Sequence, residues 1–189
     1  TRALLLTGRY GFRTGIGKLV DFAGGEPGLS PWRERILPEV LTGYDSSLVG
    51  KWHLADPHFD GLQHPLESGF RYYAGSMFNL TVPPVDFGDG GLDCSPGGKG
   101  GTDYFLWVKT CDPWGKGVLE QTCSRTYATT DTTDEAIARA RTMRAPWFLE
   151  VAYNAAHQPF QAPPVELVPS GACAFQYGRI EHRTMAEDA

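Results

Sequence analysis

The segment SSLVGKWHLAD, residues 46–56, sets Lys51 and His53 on either side of Trp52, directly after an apolar run that closes in glycine. Lysine brings a compact positive charge and histidine a proton that moves near neutral pH. That pair suits a tetrahedral oxyanion undergoing transfer. Read as a strand from Ser47 to Trp52, the segment projects Lys51 and His53 to one side and Trp52 to the other, because successive strand residues alternate between faces. A strand that simply exits into water, with both heads solvated, is the plainer alternative, and spacing alone leaves both open.

Two further residues extend this chemistry. His157 lies in NAAHQPF, just past the apolar run WFLEVAY, and ligand groups in open α/β sheets gather beyond the carboxyl ends of strands. A loop histidine bonded to backbone is the alternative there. Arg2 falls in the first turn of a helix predicted over Ala3 to Thr7 and closed by Gly8. Helix N-termini favour anions, so a cation there is unfavourable unless an anion joins it or the terminus is frayed and solvated. His58, His64 and His182 show no metal-ligand spacing, and Asp86, Asp89 and Asp93 miss the calcium-loop pattern and read as solvated loop. The chain's Gly-Lys pairs lack the earlier glycine of a phosphate loop: Phe12 and Asp45 stand in its place before Gly17-Lys18 and Gly50-Lys51.

The elements that must position these residues alternate in type. Glycine, proline and charge dominate residues 9–35, followed by a helical turn at Ile36–Leu41 and the strand that leads to Lys51. Residues 57–125 hold most of the glycines and three of the cysteines, and read as a loop-rich excursion with short strands at most. In TTDTTDEAIARARTMR, Thr132 and Glu135 have capping-box spacing, while Ala136, Ile137 and Ala140 make an apolar stripe. The spacing predicts a helix over 133–143. Helix, then strand, then a polar loop carrying His157 indicates an α/β fold.

Bulk properties exclude several classes. With 189 residues, 41% of them apolar, the chain can bury one core, and a net charge of −5 gives no field for nucleic acid or an anionic membrane. No apolar run nears the ~20 residues that cross a bilayer. Cys94, Cys111, Cys123 and Cys173 contain no C-x-x-C pair, which leaves room for up to two disulfides in an oxidising compartment. Asn79-Leu80-Thr81 is a glycosylation sequon of the kind that also occurs by chance.

Taken together, the motifs resemble those of the formylglycine-dependent sulfatases, of bacterial arylsulfatase type. TRALLLTGRYGFRTGIG resembles the end of the first signature, GYDSSLVGKWHLA the second, and APWFLEVAYNAAHQPFQAPP the segment that delivers an active-site histidine. HPLESGF and TYATTDTTDEAI agree with it. The likeness covers residues 1–70 and 126–165, thins across the middle and fades after Pro164. Ala156 replaces the proline that usually precedes the histidine, and the stretch between LPEVL and GYD is short.

This resemblance implies an alkaline-phosphatase-like α/β sandwich with a mostly parallel central sheet, incomplete in this chain. Residues 1–189 are then a partial catalytic domain, an internal fragment whose modified nucleophile belongs three residues ahead of Thr1. The implied reaction is hydrolysis of a sulfate ester on a sulfated small molecule or glycan. Lys51 would contact sulfate, His53 would orient the formylglycine hydrate and take its proton, His157 would serve the leaving group, and Arg2 would hold the hydrate. Calcium would be bound in the full-length protein by ligands that this chain lacks. The implied setting is periplasmic or secreted, without membrane or nucleic-acid partners, and the chain by itself is expected to be inactive. A phosphomonoester or phosphonate hydrolase of the same superfamily, or an inactive anion- or glycan-binding remnant, is the competing expectation.

Overall fold

The computed structural model describes residues 1–20, 28–57, 60–81, 84–88, 90–98 and 102–168. His58, Asp89, Cys173 and His182 lie outside the described residues. Five strands, β1 (Asp45–Gly50), β2 (Tyr72–Gly75), β3 (Trp107–Cys111), β4 (Glu120–Ser124) and β5 (Trp147–Ala152), form one mixed sheet in the order β4-β3-β2-β1-β5. The parallel part is β2-β1-β5, and β3 and β4 add an antiparallel hairpin beyond β2.

The helices divide between the two faces. They are α1 (Arg2–Thr7), α2 (Gly11–Thr14), α3 (Leu37–Val40), α4 (His64–Glu67) and α5 (Ala128–Thr142). Leu48, Tyr73 and Phe148 pack on one side against Ala3 and Leu6 of α1, together with Ile36, Trp52 and Phe70, and this is the main core. On the other side α5 docks through ions: Lys109 donates to Asp131 (2.6 Å) and Glu135 (2.8 Å), Tyr72 bonds Glu135, and Arg139 reaches Asp45 (2.7 Å) and Ser47 (2.8 Å). An α/β protein with helices on both faces results, as the sequence indicates.

Several details differ from expectation. The first helix does close at Gly8, whose left-handed φ of 65° lets its N–H bond the Leu4 carbonyl. The helix predicted from residue 133 starts instead at Ala128, so Thr132 is a buried mid-helix residue and no capping box forms. Glu135 spends its carboxylate across the sheet on Lys109 and Tyr72, a tertiary use that overrides the local spacing. Of the apolar stripe, Ala136 is buried but Ile137 stands 45% exposed. Residues 57–125 supply three of the five strands, and a disulfide between Cys94 and Cys123 ties their loop to β4. Cys111 is a free thiol, half-buried on β3. Among the described residues, no helix is long and apolar enough to cross a membrane.

Candidate active site

The strand that delivers Lys51 ends at Gly50, not Trp52. Gly50 has a φ of 105°, and a Cβ there would land on the Ala152 carbonyl oxygen of β5. Only glycine lets the two strands pass this closely. Beyond it the backbone is pinned from both sides: Lys51 N–H donates to Ala152 O (2.7 Å), Trp52 N–H to Ser76 O (3.0 Å) and His53 N–H to Met77 O (2.8 Å). His53 itself takes φ 57°, a left-handed conformation that costs a non-glycine residue on the order of 1–3 kcal/mol. Regular strand alternation therefore does not carry Lys51 and His53 to one place; a strained loop at the strand end does. Trp52 points into the core, donating its indole N–H to His64 Nδ1 (2.9 Å), while His64 Nε2 donates to Leu29 O (2.7 Å). His64 is a structural histidine, as its spacing suggests.

Charge converges on His53. Its ring is buried, edge-on to Phe78, with Nε2 3.1 Å from the Val20 carbonyl. Because a carbonyl only accepts, Nε2 carries the proton and Nδ1 keeps a free lone pair. Burial, then Lys51, with further contributions from Arg2 and His157, lowers its pKa to about 4, so the ring is neutral at pH 7. Burial and the neighbouring Arg2 lower the Lys51 pKa to about 8. The structure thus brings Arg2, Lys51 and His157 within electrostatic reach of one imidazole. Arg2 and His53 also line one open cavity of about 560 Å³ together with Thr1, Lys18 and Val20.

A carboxylate whose charge acts on the cation at the start of α1, without an ion pair between them, lies on β5. Glu150 lies opposite Leu48, on the sheet face that α1 covers, and its charge acts on Arg2. Burial still raises the Glu150 carboxyl above its ordinary range. His157 is exposed just past β5, its main-chain carbonyl held by the Tyr104 hydroxyl (3.0 Å). His157 Nδ1 faces the Gln158 carbonyl at 3.1 Å, which places the proton on Nδ1 and frees Nε2.

Three polar residues at the same strand ends escape sequence reasoning. Asn79 accepts a hydrogen bond from Lys51 Nζ, so the sequon asparagine fixes the cation and is itself half-buried. Asn154 and Ser76 are buried and bonded at 2.9 Å, and Asn154 Oδ1 has no hydrogen-bond partner. Nothing in GSMFN or VAYNAA has the spacing of a known site, and only proximity to Lys51 and His157 singles these residues out. Asp86 and Asp93 accept bonds from loop backbone N–H groups, as turn residues do. Among the described residues, no group of three or more His, Cys, Asp or Glu side chains could hold a metal ion.

An α/β protein with cations and imidazoles gathered beyond the carboxyl ends of parallel strands is the class that this fold and site define. No family model matches the chain. Among curated proteins, arylsulfatase G of Homo sapiens is 30% identical over 196 residues, which covers 96% of this chain and 36% of that protein. The uncharacterized sulfatase YdeN of Escherichia coli is 30% identical over 169 residues, covering 86% of the chain and 28% of that protein. Arylsulfatase D of Homo sapiens is 35% identical over 107 residues, covering 51% and 16%. The chain belongs to the sulfatase family, and it spans about a third or less of the length of these relatives.

Proposed function

We propose that this chain carries the sulfate-handling part of a sulfuric ester hydrolase active site, acting in the full-length protein with a formylglycine nucleophile ahead of Thr1. The observation that supports it is the convergence of Arg2, Lys51 and His157 on the neutral, buried imidazole of His53. Lys51, oriented by Asn79, supplies the cation that binds sulfate oxygens. His53 Nδ1, unprotonated, accepts a proton from a hydroxyl at the reacting centre as sulfate is expelled. His157 Nε2 lies at the exposed rim, where it binds ester oxygens and serves the departing alcohol. Arg2, which lines the cavity with His53, offsets negative charge there. Donors held in place before reaction stabilise the transition state more than the substrate.

The substrate class is a sulfated small molecule or glycan, and calcium is assigned to no residue here. A disulfide between Cys94 and Cys123 supports a periplasmic or secreted setting, since such bonds persist in oxidising compartments. In the full-length protein, Lys51→Ala and His157→Ala should each lower turnover of an aryl sulfate by about two to three orders of magnitude, the usual cost of one oxyanion donor. Unchanged turnover in both variants would defeat the assignment. Faster cleavage of the matched phosphate ester would make the enzyme a phosphomonoesterase instead, and a full-length protein that turns over neither ester would be a binding remnant.

A further inference from the structure

A second cation cluster sits at the opposite end of the sheet. Where the parallel strands begin, a solvent-open cavity of about 440 Å³ is lined by Gly43, Asp45, Arg71, Arg139, Arg144 and Ala145. Arg71 immediately precedes β2 and Arg144 lies three residues ahead of β5, while Arg139 comes from the last turn of α5. Three arginines therefore border one space that holds a single acidic residue.

That carboxylate is already committed. Asp45 Oδ1 accepts from Arg139 Nη2 (2.7 Å) and Oδ2 from the Arg144 backbone N–H (3.1 Å). Arg139 is also held by Nε to Ser47 Oγ (2.8 Å) and lies 4.9 Å over the Tyr72 ring. These contacts hold the Arg139 guanidinium in place beside the cavity. Among the described residues, the Arg71 and Arg144 side chains have no carboxylate partner. Their main chains are nonetheless tethered beside Asp45, Arg71 N–H donating to Ser46 O (2.8 Å). Like charges gathered around a cavity repel unless an anion joins them. Planar guanidinium forks match the oxygens of a tetrahedral group.

We propose that this cavity is a second oxyanion site, which takes a sulfate or phosphate group on Arg71, Arg139 and Arg144. It stands on geometry remote from His53 and does not depend on the hydrolase reading. Either a free inorganic anion or the sulfate of a glycan would present the required oxygens.

The test is an amide-resolved NMR titration of the full-length protein with sodium sulfate, with sodium chloride at matched ionic strength as control. Saturable shifts at Gly43 and Ala145 with sulfate, absent with chloride, are expected. In the double variant Arg71→Ala/Arg144→Ala, both exposed side chains whose removal leaves the core intact, the midpoint should rise by about tenfold or more, because two of three charges are gone. Repeating the titration with a sulfated disaccharide separates the sources, a lower midpoint than inorganic sulfate assigning the site to glycan and an equal one to free anion. Equal shifts with chloride, or an unchanged midpoint in the double variant, would overturn the proposal.

Discussion

At neutral pH the His53 imidazole is uncharged, because burial and the Lys51 cation hold its pKa near about 4 against an ordinary value of 6.5. The folded state thus binds fewer protons than the unfolded state between those values. The associated stability is fully present above pH about 6.5 and is lost as the pH falls toward about 4, a change on the order of 3 kcal/mol. Denaturant unfolding followed across that window should show the loss, and His53→Asn should flatten it. Lys51 sets the other limit: below pH about 8 it is a cation, so sulfate affinity should decline as the pH rises through that value. A bound dianion should also draw the His53 pKa upward. An imidazole NMR titration with and without sodium sulfate measures that shift, and no movement would separate His53 from the anion.

At the scale of elements, the site depends on how tightly three parallel strands end side by side. Gly75 of β2 lies against Gly50 of β1, and Gly50 against Ala152 of β5; a Cβ at either glycine would meet carbonyl oxygen. Gly50→Ala should therefore destabilise the fold by at least about 2 kcal/mol, through backbone strain and lost β1–β5 pairing. A larger fall in activity than in stability is expected, since Lys51 follows directly. Comparing melting temperature with turnover in the full-length protein checks both. The helix α5 docks through the ionic groups of Asp131, Glu135 and Arg139 beside the small buried residues Ala128, Thr132 and Ala136, while Ile137 of its sequence stripe stays exposed.

Over the whole molecule, the Cys94–Cys123 bridge joins a glycine-rich loop to the antiparallel end of the sheet across a separation of 29 residues. Closing a loop of that length removes unfolded-state entropy worth about 3–4 kcal/mol. Reduction should lower the unfolding midpoint accordingly while sparing the parallel strands that bear Lys51 and His53, a contrast that amide hydrogen exchange resolves. The opposite end, at β5, is an edge in which Trp147 and Tyr153 stay partly exposed. On the proposed mechanism, the chain alone should give no multiple turnover of an aryl sulfate, and a turnover assay checks this.

Residue types and order determined much of this by themselves. Two apolar runs ending in polar loops placed Lys51, His53 and His157 at strand ends, and α/β alternation followed from local patterns that short stretches of chain enforce. Only the tertiary structure decided the rest. Strand order, the β3–β4 hairpin and the hold of Asn79 on Lys51 arise from contacts between residues far apart in the chain, which local spacing does not encode. The depressed pKa of His53 has the same origin: burial and neighbouring charge exist only once the sheet, α1 and the loop after β5 have come together.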